Sequence, residues 1–312
     1  MDCLITGATG FVAPFAAQGL RDAFPGLRIW GTGPEPAPPG FPLEGYLPLD
    51  LKDQAAVQGL IDRVKPDLVV HLASQSSVSE SWRTPVESFY NNTNIFLNLV
   101  EAIRRAGQRC RVLSVGSSEE YGRHAASDLP LTETLPPNPA SPYAVARVAQ
   151  AHLSTVYTEG FGLDILCTRS FNHFGPGQSD RFVISALVRQ FVAMERSGDR
   201  RLTVGNTAVR RDFTDVRDVA RAYALLFQKG ERGGLYNVCS GRSHSIAELI
   251  QTLSSLTGLA PEIRQDPALL RPGEVMDIIG NPGRLHATTG WMPAIPLEQT
   301  LNDMIAWWRS QP

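Results

Sequence analysis

Tyr143 and Arg147 are the residues whose types and spacing most directly suggest chemistry. Four positions apart on a helix, they share a face, so a phenol and a positive charge point at one spot. A neighbouring cation favours the phenolate and lets a tyrosine trade a proton nearer neutral pH. Upstream, Ser117-Ser118-Glu119-Glu120-Tyr121-Gly122 offers hydroxyls and carboxylates. At the N terminus, Gly7-Ala8-Thr9-Gly10-Phe11-Val12-Ala13 follows a short apolar run and opens an amphipathic one. Small residues there allow a tight turn and close approach of backbone to a pyrophosphate, and Ala is accepted at the third small position. Gly7, Thr9, Gly10, Phe11 and Val12 are therefore candidate cofactor contacts. Together, the Gly-rich turn and the Tyr143–Arg147 pair read as hydride chemistry on a nicotinamide.

The cofactor's type is less legible. The second strand ends Trp30-Gly31-Thr32-Gly33-Pro34, with no carboxylate at its tip and no Arg beyond it. A carboxylate there favours NAD and an Arg favours NADP. The missing acid gives a slight preference for NADP(H) over NAD(H), with Thr32 as a candidate contact. Asp50 and Leu51, after the third strand, are placed beside the adenine.

The elements that must position these residues alternate short apolar runs with helical patterns, which predicts βαβ units and a parallel sheet. Strands are expected at Cys3–Thr6, Arg28–Gly31, Gly45–Pro48, Leu68–Leu72, Arg111–Val115 and Asp164–Ser170. Helices are expected at Phe11–Ala23, Gln54–Arg63, Val86–Arg105 and Tyr143–Glu159. The five prolines of Leu129–Pro142 predict an extended crossing segment leading into the Tyr143 helix. Beyond residue 171 the pattern is less regular. Asn172–Phe182 and Val209–Asp215 read as loops, Leu202–Val204 and Leu235–Cys239 as strands. Val183–Arg196, Ile246–Thr257 and Leu297–Arg309 read as helices. The expected architecture is α/β: a Rossmann-type doubly wound parallel sheet over residues 1–170, which shares the strand near 235–239, and a smaller substrate-binding lobe over 171–312.

Composition narrows the class. With 43% hydrophobic and 19% charged residues, the 312-residue chain falls in the range of soluble globular proteins. A net charge of −2 gives no reason to expect nucleic acid or an anionic membrane as partner. No apolar run reaches the ~20 residues of a membrane span. Met1-Asp2-Cys3-Leu4-Ile5 has no basic n-region, so no signal peptide is expected. Four scattered cysteines, Cys3, Cys110, Cys167 and Cys239, predict reduced buried thiols and a cytoplasmic location. Without a CxxC or clustered His, no metal site is expected.

Over nearly its whole length the chain resembles the extended short-chain dehydrogenase/reductase family acting on nucleotide sugars. The resemblance rests on Gly7–Ala13, His71-Leu72-Ala73, Asn92, Ser117–Gly122, the Tyr143 pentad, Asn172–Gln178, Arg211–Val216, Asn237–Gly241 and Arg271–Val275. The Ser-Ser-Glu-Glu-Tyr-Gly stretch, the Gly-Pro-Gly-Gln loop and the Arg-Pro-Gly-Glu-Val segment are most similar to GDP-4-keto-6-deoxy-D-mannose reductases. The resemblance implies Tyr143 as acid/base and Ser117 as the hydroxyl that bonds the reacting C4 oxygen. It puts Arg147 where the family has a Lys that holds the nicotinamide ribose, and Leu72 and Ala73 against the cofactor. Ser118 and Asn172 would line the sugar–diphosphate pocket, Arg211 and Arg271 would clamp the diphosphate, and Glu274 would meet the ribose or base. Glu119 stands where related dehydratases keep the base that removes a C5 proton; otherwise it bonds a sugar hydroxyl. Two further departures from the family are Ile95-Phe96, where small residues are common, and Ser170, where proline is common.

The implied activity is NAD(P)H-dependent reduction of a GDP-4-keto-6-deoxyhexose at C4. A GDP-mannose 4,6-dehydratase-like or epimerase activity is the second reading. A nucleotide-sugar-binding protein without turnover is the third, because Arg147 replaces the Lys. A homodimer is implied through the helices 86–105 and 143–159, with Phe96, Leu97, Leu99 and Val100 either at that seam or facing the sheet.

Overall fold

The computed structural model describes residues 1–37, 43–270 and 275–312. The first half runs β1 (Asp2–Thr6), α1 (Ala13–Ala23), β2 (Arg28–Gly33), β3 (Gly45–Pro48), α2 (Gln54–Val64) and β4 (Leu68–His71). Then come α3 (Val78–Arg83), α4 (Pro85–Phe89), a π-helical turn (Tyr90–Asn94), α5 (Ile95–Ala106), β5 (Arg111–Ser117), α6 (Pro142–Phe161) and β6 (Asp164–Ser170). The second half adds β7 (Asn172–Phe174), α7 (Val183–Ser197), β8 (Arg201–Val204), β9 (Arg210–Asp215), α8 (Val216–Lys229) and β10 (Leu235–Val238). It ends with β11 (Ser243–Ser245), α9 (Ile246–Thr257), β12 (Glu262–Gln265), β13 (Asp277–Ile278), α10 (Gly283–Thr289) and α11 (Leu297–Ser310).

Seven parallel strands form the main sheet in the order β10-β6-β5-β4-β1-β2-β3. Strand order reverses direction between β1 and β4, and ligands of open α/β sheets bind beyond the strand ends at such a switch point. Runs such as Leu68-Val69-Val70-His71 are buried throughout because helices cover both sheet faces. One face packs on α1 and α8, where Ala13, Ala16, Ala17 and Leu20 let the helices approach closely. The other packs on α2 and α5 through Val57, Leu60, Ile61, Phe96, Leu99 and Val100. A separate core (Leu187, Phe191, Leu249, Leu301 and neighbours) holds α7, α9 and α11 together around β8 and β9.

Several expectations change. The stretch 86–105 is not one helix: five π-helical residues interrupt it and turn Asn92 inward. Residues 210–215 form β9, which pairs with β7, β11 and β13, so a segment read as a loop is the centre of the second sheet. Asn172–Phe174, also read as loop, is β7. Phe96, Leu99 and Val100 lie fully inside the core, so they face the sheet and not a seam between subunits. The proline-rich crossing segment is anchored near its start, where Leu131 N–H donates to Ile279 O and Asn281 N–H to Leu131 O. No helix among the described residues is long and apolar enough to cross a membrane. These residues also contain no group of three His, Cys, Asp or Glu placed to hold a metal ion.

Candidate active site

The turn after β1 is built for close approach. Gly7 has φ +67°, and a Cβ there would sit 2.7 Å from the Ala73 backbone nitrogen. Only glycine allows the β1 and β4 ends to meet so tightly. Thr9 and Gly10 are exposed and Phe11 half-buried at the mouth of an open cleft of about 290 Å³ shared with Pro176 and Gly177, and Val12, next in sequence, is half-buried. Phe11 stacks on His173 at 6.2 Å, so β7 leans onto the dinucleotide turn. At the end of β4, Thr6 Oγ1 accepts from Ala73 N–H and bonds His71 Nδ1 at 2.9 Å. Three buried polar atoms at or beside the end of β4 have no partner: His71 Nε2, Gln75 Oε1 and, on the π-helical turn that bonds Gln75 O, Asn92 Oδ1. Buried polar atoms are rarely left unpaired. The glycine cradle and these atoms fit a nicotinamide dinucleotide lying across the switch point.

The adenine side corrects one expectation. Thr32 is sealed from solvent; its hydroxyl donates to Leu47 O at 2.7 Å and its carbonyl accepts from Ala8 N–H, so its hydroxyl is not free for a cofactor. Asp50 is exposed, accepts from Lys52 N–H and pairs with Lys52 Nζ at 3.5 Å. Leu51 is buried in the core below.

The chemical centre forms where α6 meets the end of β5. Ser141 caps α6 by accepting from Ala144 N–H, and Pro142 opens the first turn, which fixes Tyr143 at the helix start. Arg147 Nε donates to Tyr143 Oη at 3.2 Å, with the guanidinium 5.4 Å from the ring centre. Both are nearly sealed, at 5% exposure for Tyr143 and 4% for Arg147. Arg147 Nη1 also donates to Gln150 Oε1 at 2.6 Å. Ser117 ends β5 and starts a short 3₁₀ turn; its hydroxyl accepts from Glu119 N–H, which leaves its own proton for an oxygen in the pocket. Ser118 is buried and Glu119 half-buried beside it.

Sequence reasoning passed over Glu120. Its fully buried carboxylate accepts from Ser117 N–H at 2.9 Å and from Arg169 Nε at 3.0 Å. The Ser-x-x-Glu spacing of a capping box was the available signal. Burial pushes the Glu120 carboxyl above the usual range, while Arg169, the Ser117 N–H and Arg147 pull it back. Burial likewise holds the His71 imidazole down at about 3, with Arg147 adding to the effect. Ser170, the residue at the proline position, bonds Tyr223 Oη at 2.9 Å and Thr168 Oγ1 at 3.2 Å. Burial raises the Tyr223 phenol to about 12.

On the substrate side, Asn172 lies half-buried at the start of β7. Arg211, on β9, donates through Nη1 to Arg210 O and Val275 O, which aims its side chain at the 275 segment. Asp212 ties this region together: it accepts from Ser240 N–H, Ser240 Oγ, Gly241 N–H and Gly280 N–H. Burial pushes its carboxyl up to about 6, with those donors opposing. Arg271 and Glu274 lie outside the described residues.

A family model described as GDP-mannose 4,6 dehydratase matches residues 46–304. The chain belongs to this family. Among curated relatives, GDP-6-deoxy-D-mannose reductase of Pseudomonas aeruginosa is 41% identical over 247 residues, covering 79% of this chain and 81% of the relative. The solved structure of RMD from Pseudomonas aeruginosa complexed with NADPH superposes with a TM-score of 0.88 and 36% identity, covering 99% of both chains. UDP-glucose 4-epimerase of Thermus thermophilus, in complex with NAD, reaches a TM-score of 0.87 at 28% identity and the same coverage. The GDP-mannose 4,6 dehydratase family and its structural neighbours thus bear out the extended short-chain dehydrogenase/reductase fold.

Proposed function

We propose that this chain reduces the C4 keto group of a GDP-4-keto-6-deoxyhexose with a nicotinamide cofactor. The observation that carries the reading is the buried Arg147–Tyr143 contact at 3.2 Å, on the helix that packs against the Ser117 turn. The similarity to a GDP-6-deoxy-D-mannose reductase supports the reaction and the nucleotide.

A bound NAD(P)H supplies the hydride. Tyr143 donates a proton to the C4 oxygen as negative charge develops there, and the Ser117 hydroxyl steadies the same oxygen. Arg147 holds its charge beside the phenol and reaches for the nicotinamide ribose. Gly7, Thr9, Gly10, Phe11, Val12, Leu72 and Ala73 seat the dinucleotide, with Asp50 and Leu51 near its adenine. Asn172, Ser118, Arg211 and Arg271 bind the sugar diphosphate, and Glu274 the nucleoside. Binding energy from the nucleotide orients the sugar. Reduction requires no C5 proton removal, so Glu119 acts here as a hydrogen-bond acceptor for a sugar hydroxyl.

NADPH is the favoured cofactor, because the end of β2 presents no carboxylate and the reductase neighbour was solved with NADPH. Residues 1–170 with the 235–239 strand act as the cofactor half, and 171–312 mainly as the nucleotide-sugar half. We also read the chain as a cytoplasmic homodimer. Its seam runs through the exposed apolar side chains Val86, Phe89 and Tyr90 of the α4 region and Val145, Val156 and Phe161 of α6.

The test is absorbance at 340 nm with GDP-4-keto-6-deoxymannose generated in situ and NADPH or NADH supplied separately. Oxidation of NADPH with formation of a GDP-6-deoxyhexose is expected. Conversion of GDP-mannose to its 4-keto-6-deoxy derivative without added cofactor would favour the dehydratase reading.

A further inference from the structure

We propose that Gln150 is a positioning residue that locks the Arg147 guanidinium against the Tyr143 phenol, and that this pair is how the site works with arginine. The inference rests on the reading of Tyr143 as proton donor. A guanidinium is planar, with its donors in a rigid fork, so a single contact leaves it free to turn about that contact. Here two contacts fix it: Nε on Tyr143 Oη at 3.2 Å and Nη1 on Gln150 Oε1 at 2.6 Å.

Gln150 is itself held. Its Nε2 donates to Ser114 Oγ at 2.9 Å and to Val115 O at 3.3 Å, both on β5. Ser154 Oγ lies 3.1 Å from the same Ser114 hydroxyl. Both amide protons are therefore spent on the sheet, and the amide oxygen is left for Arg147. The flipped amide would set N–H against N–H, so this orientation is the consistent one. Gln150 is 1% exposed. The space beside the guanidinium, bounded by Ser114, Gly116, Glu120, Gln150 and Thr168, has no room for a water molecule with the amide in place.

The choice of an amide matters. A carboxylate at 150 would grip the guanidinium more strongly and cancel its charge. Glutamine supplies an acceptor and adds no second negative charge to that of Glu120, which borders the same space and is paired with Arg169. A lysine ammonium at 147 would be a compact point charge on a flexible stem, with no planar fork to orient. Gln150 should therefore matter with arginine at 147 and lose most of its effect with lysine there.

The experiment places Gln150→Met and Gln150→Glu in the wild-type chain and in the Arg147→Lys chain. It reads NADPH dissociation constants by fluorescence, kcat and KM for GDP-4-keto-6-deoxymannose, and thermal midpoints as a control for folding. A hydrogen bond to a charged group is worth about tenfold or more in an equilibrium constant. Gln150→Met is expected to weaken NADPH binding and lower kcat by about tenfold each, with the sugar-nucleotide KM changed by less than about twofold. In the Arg147→Lys chain the same change should alter both by less than about twofold. Gln150→Glu should keep NADPH affinity within about threefold of wild type and still lower kcat about tenfold, because the charge is cancelled.

Equal losses in both backgrounds would overturn the inference. So would a lower thermal midpoint with NADPH affinity and kcat unchanged. If Gln150→Met does not fold, Ser114→Ala loosens the same amide and is read the same way. If the wild-type chain binds NADPH but does not oxidise it with this sugar, the proposed function falls, and the NADPH-binding cycle alone decides the role of Gln150.

Discussion

Glu120 and Arg169 pair at 3.0 Å beneath the end of β5, with both side chains sealed from solvent. The second Glu120 oxygen holds the Ser117 backbone N–H, so the pair supports the turn that presents the Ser117 hydroxyl. Breaking a buried pair from one side strands a charge and costs ~3–5 kcal/mol. Arg169→Met is expected to lower unfolding free energy by about that much in urea titrations. Replacing both partners, Glu120→Gln with Arg169→Met, should recover part of the loss. A loss in Arg169→Met below about 1 kcal/mol would contradict this role.

Acid stability should reveal two opposed groups. His71 is held neutral in the fold, with its value lowered from 6.5 to about 3. The unfolded chain binds its proton first, so the contribution of His71 is complete above pH 6.5 and is lost as pH falls toward 3. Asp212 is raised from 3.8 to about 6, so its contribution is present below pH 3.8 and is lost as pH rises through 6. Between about pH 4 and 6 the two slopes cancel. Relative to the wild type, Asp212→Asn is expected to make the slope more positive by about 1.4 kcal/mol per pH unit across that window, and His71→Asn more negative by a comparable amount. Chemical denaturation at about pH 4, 5 and 6 measures both slopes.

Tyr143→Phe removes the proton donor and leaves the crevice intact. It is expected to reduce kcat by roughly 10²–10⁴, and because it also frees Arg147 Nε it should weaken NADPH binding as Gln150→Met does. Arg147→Lys keeps a cation, but an ammonium cannot hold both Tyr143 Oη and Gln150 Oε1 in the guanidinium's fixed geometry. Its kcat is expected to fall by about 10–10². A gain in kcat on Arg147→Lys would mean that the pocket is not adapted to arginine.

Light scattering on a sizing column tests the seam. Val86 and Val156, at 65% and 55% exposure, are large apolar side chains left in solvent by the isolated chain. The wild type should elute at twice the chain mass of 34.1 kDa, and Val156→Glu should shift it toward the monomer. A monomeric wild type would refute the seam.

Much of this fold was legible because its signals are local. The apolar runs at 2–6, 68–71 and 111–117 and the glycines after β1 announce a dinucleotide sheet, and Tyr143 and Arg147 announce each other through helical spacing. What escaped depended on contacts distant in sequence. Arg210–Asp215 is too charged to look like a strand, and β7, β11 and β13 make it one. Val216–Lys229 carries Arg217, Asp218 and Arg221 in its first two turns, yet its other face is a main wall of the core. The π-helical turn at 90–94 leaves no period in the sequence. At the site, Glu119 holds the motif position, while its neighbour Glu120 turns inward to Arg169, a partner 49 residues away that no local pattern shows. Thr32 was read from the position of its backbone, and the hydroxyl was claimed by Leu47 on the next strand.

The most direct measurement of the central claim uses NADPH carrying deuterium at the transferred position of C4, with GDP-4-keto-6-deoxymannose as acceptor and mass spectrometry of the sugar nucleotide. A GDP-6-deoxyhexose one mass unit heavier, with the label at sugar C4 and one NADP⁺ formed per product, is predicted. Product without label, or substrate left unreduced while NADPH is bound, would contradict it.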